Sequence, residues 1–230
     1  MTTAAARGII GGMNYFLFDL DGTLTDPQEG ITGCVQSALA AFGIEERRED
    51  LRKFIGPPLK EAFMDFYGFS EEDAERAAAL YRVRFVRQGV FENAPYEGIE
   101  DVLSALKAGG AHLAVASSKP EVFVRQILSA FSLEGYFDAI VGAAPDGAGG
   151  EKSAVIGRAL KALGAGKAET VMVGDRKYDV AGAKANGLLC VGAGYGFAEA
   201  GELEAAGADI VAKTVEELGN VLKLLQQNHG

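Results

Sequence analysis

Two pairs of aspartates stand out in this sequence by their type and spacing. The first pair, Asp19 and Asp21, lies in the segment DLDGTLTD, directly after an apolar run. Alternate residues at the end of a strand place both carboxylates close together, so one can attack as a nucleophile while the other exchanges protons. Gly22 permits the sharp turn that such a loop needs. Because Asp-Gly is also a common turn pair, this segment taken alone is equally compatible with a turn that has acidic caps.

The second pair, Asp175 and Asp179, lies in the segment VGDRKYD at the end of another apolar run. Two carboxylates at this spacing can bind one hard cation through oxygen, and Mg²⁺ prefers one or two carboxylates together with water and phosphate oxygens. The alternative is that Asp179 only caps the next helix and that Asp175 only ends the strand. Taken together, the two pairs favour a metal site.

Two smaller signals accompany the aspartates. Ser117 and Ser118 follow an apolar strand and precede a helix, where a hydroxyl and backbone N–H groups can hold phosphate oxygens. An N-cap serine is the alternative at this position. Lys152 begins a helix after the glycine-rich residues 147–150. The positive charge of a lysine at a helix start interacts unfavourably with the helix dipole. A nearby anion would explain a lysine at this position, and so would exposure of the side chain to solvent.

The elements that must position these residues alternate between strand and helix. Strands are predicted at residues 14–20, 111–116, 137–141, 170–173, 188–191 and 209–211, and helices at residues 99–108, 121–130, 152–163 and 179–185, with a closing helix at the end. This alternation predicts an α/β fold, a Rossmann-like open parallel sheet with helices on both faces.

Residues 26–94 show a different sequence pattern, with apolar residues at helical spacing and no convincing strand. The pattern predicts an all-helical insertion that includes a long helix over residues 71–87, and it would lie over the carboxyl ends of the strands, where ligands bind in such sheets. The predicted organisation is therefore a leader over residues 1–12, a core made of residues 13–25 and 95–230, and a helical domain over residues 26–94.

Composition excludes several classes of protein. The chain has 230 residues with 22 Lys plus Arg against 32 Asp plus Glu, a formal net charge of −10, which argues against a nucleic-acid partner. No run approaches 18 apolar residues, so no membrane span is expected. Cys34 and Cys190 lie far apart in apolar contexts, which predicts reduced thiols and a cytoplasmic location. Oligomeric state stays open between monomer and homodimer.

A glycine-rich segment late in the chain, VGAGYGF, invites a dinucleotide-binding interpretation. It contains Gly192, Gly194 and Gly196 but lacks the third glycine of the GxGxxG spacing, and it does not follow the first strand. We therefore interpret it as a glycine-rich loop between a strand and a helix.

The four chemistry-bearing segments, in this order, resemble the motifs of the haloacid dehalogenase superfamily of phosphohydrolases. DLDGTLTDP is similar to the first motif, Ser117 to the second, Lys152 to the third and GDRKYD to the fourth. The helical insertion resembles the helical cap of the superfamily. Residues 54–59 and 92–99 are similar to the phosphoglycolate-phosphatase-like branch, some of whose members act on nucleoside 5′-monophosphates and others on pyrophosphate.

The resemblance implies roles for individual residues. Asp19 would be the nucleophile that forms an aspartyl-phosphate, and Asp21 would be the general acid and base. The phosphoryl oxygens would be held by a set of polar groups, namely Ser117, Ser118, Lys152 and Gly22. The cofactor would be Mg²⁺, with Asp19, the backbone carbonyl of Asp21 and Asp175 as ligands. Asp179 would either bind the ion or orient its waters and Lys152. The partner would be a small phosphorylated metabolite.

The reaction predicted first is hydrolysis of a small phosphomonoester, most similar to that of a phosphoglycolate phosphatase. The alternatives within the branch are a 5′-nucleotidase and a pyrophosphatase. Phosphomutases of this superfamily tend to carry a histidine or an Arg/Lys set in the cap for the sugar. Residues 26–94 contain no histidine, so the resemblance favours hydrolysis over a sugar phosphomutase. A binding protein with an inactive site is disfavoured because Asp19, Asp21, Lys152 and Asp175 are all present.

Overall fold

The computed structural model describes residues 12–145 and 147–227. Apart from Gly12, the predicted leader lies outside the described residues. The described chain forms two compact units, one made of the chain before Asp26 together with the chain from Pro95 onward, the other of Asp26–Ala94. None of the described helices is both long enough and apolar enough to span a bilayer.

The strands are β1 (Tyr15–Phe18), β2 (Thr25–Asp26), β3 (Ala94–Pro95), β4 (His112–Pro120), β5 (Ala139–Ala143), β6 (Thr170–Gly174), β7 (Leu189–Ala193) and β8 (Ile210–Ala212). The helices are α1 (Gln28–Ala40), α2 (Leu59–Tyr67), α3 (Glu71–Arg84), α4 (Ile99–Ala108), α5 (Glu121–Ala130), α6 (Lys152–Leu163), α7 (Lys177–Asn186), α8 (Glu202–Ala206) and α9 (Val215–Gln226). A short 3-10 helix also occupies Arg48–Phe54.

Six strands form one sheet in the order β5-β4-β1-β6-β7-β8, and each neighbouring pair is parallel. The predicted α/β fold with an open parallel sheet is therefore confirmed. Strands β2 and β3 form a separate two-stranded sheet.

The first strand shows why this sheet is covered on both faces. Phe16, Leu17 and Phe18 have no exposed surface. Since successive side chains of a strand point to opposite faces, burial of three in a row requires cover on each side. On one face Leu17 belongs to an apolar cluster with Val155 and Ile156 of α6. Burial of each such side chain stabilises the fold by roughly 1.5–3 kcal/mol.

The strand order brings the candidate site residues to one edge. The chain places β4 and β5 on one side of β1, then returns to place β6, β7 and β8 on the other side. Phe18 is in register with Val115 of β4 and Val173 of β6, so the carboxyl ends of these three strands lie side by side. Ligands of open α/β sheets bind at such a reversal of strand order.

Strand β4 differs from its predicted bounds. It was expected to end at Ala116, whereas the strand continues to Pro120, with an irregularity in its pairing to β5 between Ala116 and Pro120. Its polar end, SSKP, carries no apolar pattern, which is why periodicity alone does not predict it. Strand β5 begins two residues later than expected, at Ala139, and the short helix α8 was not predicted.

The unit of residues 26–94 contains three α-helices. Ser70 caps α3 by accepting a hydrogen bond from the backbone N–H of Asp73. The long helix predicted over residues 71–87 is α-helical only as far as Arg84 and continues as one π-helical turn over Phe85–Gly89. Apolar spacing cannot distinguish such a widened turn from a regular one. That this unit acts as a cap stays a prediction.

We predict that Leu17→Ala lowers the free energy of unfolding of the sheet unit by about 2–5 kcal/mol, because it removes a fully buried side chain. Urea denaturation followed by circular dichroism measures this change. Leu224→Ala is the matched control, since that side chain is 50% exposed, and it should change stability by less than about 0.5 kcal/mol. Equal effects of the two variants would contradict the burial pattern.

Candidate active site

The segment that follows β1 folds into a compact loop. The backbone N–H of Asp19 donates to the Val173 carbonyl at 2.9 Å and so extends the pairing of β1 with β6. The N–H of Gly22 donates to the Thr25 carbonyl at 2.8 Å and closes the turn. Gly22 has φ +83°, and a Cβ at this position would collide with the Asp175 carboxylate. Glycine is therefore required here both by conformation and by space.

Three carboxylates meet at the ends of β1 and β6. Asp19, Asp175 and Asp179 each offer an oxygen, and these oxygens lie within 4.8 Å of one another. Asp175 and Asp179 are each only 1% exposed. Asp179 lies in the first turn of α7, where its Oδ2 accepts a hydrogen bond from the Arg176 N–H at 3.0 Å. The capping role considered for Asp179 is therefore observed, and the same side chain also belongs to the acidic cluster, whereas its predicted binding of a metal stays a prediction.

The side chain of Lys152 enters this acidic cluster. Its Nζ lies 2.9 Å from Oδ1 of Asp19 and 2.8 Å from Oδ1 of Asp179, and it donates to the Ala116 carbonyl at 3.2 Å. Burial alone would lower the pKa of Lys152, but the negative charges of Asp179 and Asp19 outweigh it, and the pKa is raised. Lys152 is therefore a permanently charged ammonium group, and it is not a lysine on a solvated surface.

Asp175 is the carboxylate without an ammonium partner among the three. Its Oδ2 accepts a hydrogen bond from the Phe197 N–H at 2.8 Å, whereas its buried Oδ1 has no hydrogen-bond partner among the described residues. Burial, followed by the charges of Asp179 and Asp19, raises the pKa of Asp175 well above its usual range. A buried carboxylate oxygen in this condition is stabilised either by protonation of the carboxyl group or by a further positive group. This donor set of hard oxygen atoms fits Mg²⁺.

Asp21 lies outside this acidic cluster and has a lysine of its own. Lys119 Nζ lies 2.8 Å from Oδ1 and 2.5 Å from Oδ2 of Asp21, and both side chains are largely buried. Burial raises the pKa of Asp21, and Lys119 only partly offsets this effect. Lys119 is not predictable from local pattern, because its contact with Asp21 depends on the polar extension of β4.

The predicted phosphate-binding residues occupy different environments. Ser117 is buried, and its Oγ accepts a hydrogen bond from the Lys119 N–H at 3.3 Å. Ser118 is exposed. The amide of Gly22 already donates within its own loop, so what Gly22 contributes to the site is the space beside Asp175.

The charges of the site do not cancel. Four carboxylates, of Asp19, Asp21, Asp175 and Asp179, face two ammonium groups, of Lys119 and Lys152. With every group ionised, the formal sum is −2, which one divalent cation would neutralise. The approach of an anionic substrate depends on that neutralisation.

An open parallel sheet with an acidic site at its strand reversal is an arrangement typical of α/β enzymes. The chain belongs to the haloacid dehalogenase-like hydrolase family, whose sequence profile matches residues 16–193. The resemblance noted from the four motifs is therefore confirmed.

Several similar proteins carry the names of phosphate-releasing enzymes. A protein named 5′-nucleotidase from Pseudomonas aeruginosa is 47% identical over 190 residues, which cover 82% of this chain and 86% of that protein. Phosphoglycolate phosphatase 1 of the same species is 32% identical over 79% of this chain and 69% of its own length. Another similar protein, from Mycobacterium tuberculosis, is named tyrosine-protein kinase PtkA and is 39% identical over 90% of this chain and 71% of its own length.

A solved structure supports the fold assignment. The crystal structure of a predicted phosphatase from Clostridium acetobutylicum superimposes with a TM-score of 0.88 and 49% sequence identity, covering 92% of this chain and 99% of that one. Family membership and these names identify the chain as an enzyme of the phosphatase type.

We predict that Asp175→Asn stabilises the protein in the absence of divalent cations. The raised pKa of Asp175 means that the folded state disfavours the ionised carboxylate. The free energy of unfolding therefore falls as the pH rises from the pKa in the unfolded state towards the pKa in the folded state. An uncharged amide at this position removes that loss of stability. Thermal unfolding at pH 7 in EDTA measures the effect, and a gain of about 1 kcal/mol would raise the midpoint by roughly 2–4 °C.

Asp65→Asn is the matched control, because Asp65 is exposed on α2 and should leave the midpoint unchanged. Added Mg²⁺ should make the wild type the more stable of the two proteins, if the cation binds at Asp175, since asparagine offers it a neutral oxygen in place of an anionic one. An unfolding midpoint for Asp175→Asn in EDTA below that of the wild type would contradict the claim that the ionised Asp175 carboxylate destabilises the metal-free protein.

Proposed function

We propose that this protein is a Mg²⁺-dependent phosphatase that hydrolyses a small phosphomonoester through an aspartyl-phosphate on Asp19. The observation that carries the proposal is the buried cluster in which Asp19 contacts the ammonium of Lys152 beside the unpartnered oxygen of Asp175. The cluster places a carboxylate that can act as nucleophile (Asp19), a fixed ammonium group (Lys152) and an unpartnered carboxylate oxygen (Asp175) at the edge of the sheet where substrates bind.

The first step is phosphoryl transfer to the protein. A carboxylate oxygen of Asp19 attacks phosphorus, and the bond between phosphorus and the leaving oxygen breaks with its electron pair on that oxygen. Asp21 donates a proton to the leaving oxygen, which departs as an alcohol. The raised pKa of Asp21 favours the protonated form that this step requires.

The second step returns the protein to its starting state. Asp21, now ionised, accepts a proton from water as the water oxygen attacks phosphorus. The bond between phosphorus and Asp19 breaks, and inorganic phosphate leaves. Through both steps Lys152 and the Ser117 hydroxyl would hold phosphoryl oxygens, and charge stabilisation of this kind typically lowers a barrier by about 3–4 kcal/mol for one group.

The residues that would hold Mg²⁺ are Asp19, Asp175 and Asp179, together with the backbone carbonyl of Asp21. When bound, the ion would supply positive charge to the phosphoryl oxygens and to the attacking carboxylate. The protein's own contribution is to fix the ligands before substrate binds, since Asp175 and Asp179 are both held by backbone N–H groups.

We rank a nucleoside 5′-monophosphate ahead of phosphoglycolate as the substrate, in contrast to the order that the sequence analysis favoured. The relative named 5′-nucleotidase shares 47% identity with this chain, against 32% for phosphoglycolate phosphatase 1. Pyrophosphate and sugar phosphates stay as lower-ranked alternatives. The role of residues 26–94 as a cap, the cytoplasmic location and the absence of a nucleic-acid partner also stay predictions.

The direct test is hydrolysis of p-nitrophenyl phosphate by the purified protein. Turnover should require Mg²⁺ and stop in EDTA, and Asp19→Asn should lower kcat by a factor on the order of 10³ or more, because the amide cannot act as the nucleophile. Asp65→Asn, the same change on an exposed side chain, should retain full activity. Turnover by Asp19→Asn at the wild-type rate would rule out the proposed nucleophile.

A substrate panel tests the ranking of leaving groups. We expect kcat/KM for at least one nucleoside 5′-monophosphate to exceed that for phosphoglycolate by about tenfold or more, since a larger leaving group offers more binding energy to the transition state. Pyrophosphate, a hexose phosphate, and ATP with a tyrosine peptide complete the panel. A preference for phosphoglycolate would reverse the ranking, and transfer from ATP to the peptide would indicate a kinase.

A further inference from the structure

The loop after β7, which the sequence analysis treated as an ordinary connection, lies against the candidate metal site. This loop, residues 194–197, will be called the GYGF loop. A Cβ on Gly196 would collide with the Asp175 side chain and with the Gly22 carbonyl. A Cβ on Gly22 would collide with the same carboxylate. Asp175 is thus confined by two glycines that approach it from different parts of the chain.

The GYGF loop also determines which oxygen of Asp175 is left for a cation. The Phe197 N–H donates to Oδ2 at 2.8 Å, and Oδ1 is the buried oxygen without a hydrogen-bond partner. A backbone N–H can fix the carboxylate in this way only if the loop itself is fixed. An outer group that orients a metal ligand in this manner commonly affects metal affinity as strongly as a ligand does.

The side chain of Tyr195 helps to fix the loop, together with the backbone N–H groups of Gly194 and Gly196, which donate to the Ala212 and Ala193 carbonyls at 2.7 and 3.1 Å. Its hydroxyl donates to the Thr23 carbonyl at 2.9 Å, which joins the GYGF loop to the loop that carries Asp19 and Asp21. Its ring meets the ring of Tyr96 edge-on, with centroids 5.0 Å apart. Burial raises the pKa of Tyr195, so the hydroxyl stays protonated and can donate throughout the physiological pH range.

We propose that Tyr195 is a positioning residue of the metal site, which acts through the Phe197 amide to hold Asp175 with its Oδ1 directed to the cation. The proposal rests on the proposed function, because it assumes that Asp175 binds Mg²⁺. It goes beyond that function in assigning a task to a hydroxyl that touches neither substrate nor metal.

Tyr195→Phe tests this proposal, since it removes one oxygen atom and leaves the ring in place. Mg²⁺ binding to the full chain is measured by isothermal titration calorimetry without substrate, and thermal unfolding in EDTA is measured alongside. We expect the dissociation constant for Mg²⁺ to rise by about tenfold or more, with the unfolding midpoint in EDTA close to that of the wild type.

Tyr178→Phe is the matched control. Tyr178 is 37% exposed on α7, near the same acidic cluster, and it should leave Mg²⁺ binding unchanged. Gly196→Ala provides a second variant, because its Cβ would displace Asp175, and it should weaken Mg²⁺ binding more than Tyr195→Phe does.

The outcomes separate the two proposals. Equal Mg²⁺ affinity of the wild type and Tyr195→Phe overturns the positioning role and leaves the proposed function intact. A lowered unfolding midpoint in EDTA with unchanged Mg²⁺ affinity shows a merely structural hydrogen bond and overturns it as well. Absence of Mg²⁺ binding by the wild type overturns the proposed metal site and this inference together.

Discussion

The ion pairs of Lys152 with Asp19 and Asp179 are the interaction on which the rest of the site depends. Three carboxylates lie close together, those of Asp175 and Asp179 almost fully buried and that of Asp19 partly so, and they repel one another and lose hydration. One ammonium group 2.9 and 2.8 Å from two of them offsets part of that cost. Part of that cost remains at both Asp179 and Asp175, whose pKa values are raised by burial, and Asp175 also has an unpartnered oxygen at which a cation would stabilise the fold.

The fold supplies the positions that this electrostatic arrangement requires. Parallel pairing of β1 with β4 and β6 brings three strand ends together, and helix α6 begins at the residue that delivers the ammonium group. Glycines at positions 22 and 196 give the Asp175 carboxylate its space. Stability and function therefore oppose each other here, since the unsatisfied carboxylate that destabilises the metal-free protein is the group that would bind the metal.

Sequence reasoning predicted the parts of the site that lie next to apolar strands. Asp19 and Asp175 follow β1 and β6, and both strands can be recognised in the sequence as apolar runs. The approach of the two aspartates at one sheet edge could therefore be expected. Lys119 and Tyr195 were missed because their partners lie far away in the chain, Asp21 in one case and Thr23 in the other. No local pattern encodes such contacts. The polar end of β4 and the π-helical turn after α3 escaped prediction for the related reason that apolar periodicity does not describe them.

The central claim is that Asp19 carries the phosphoryl group during turnover. The most direct measurement is to mix the protein with Mg²⁺ and substrate, quench in acid, reduce with borohydride and locate the modified residue by peptide mass spectrometry. An aspartyl-phosphate is reduced to homoserine, so the account predicts homoserine at position 19 in the wild-type protein and none when substrate is omitted. Homoserine at another aspartate, or an unmodified Asp19 during active turnover, would contradict it.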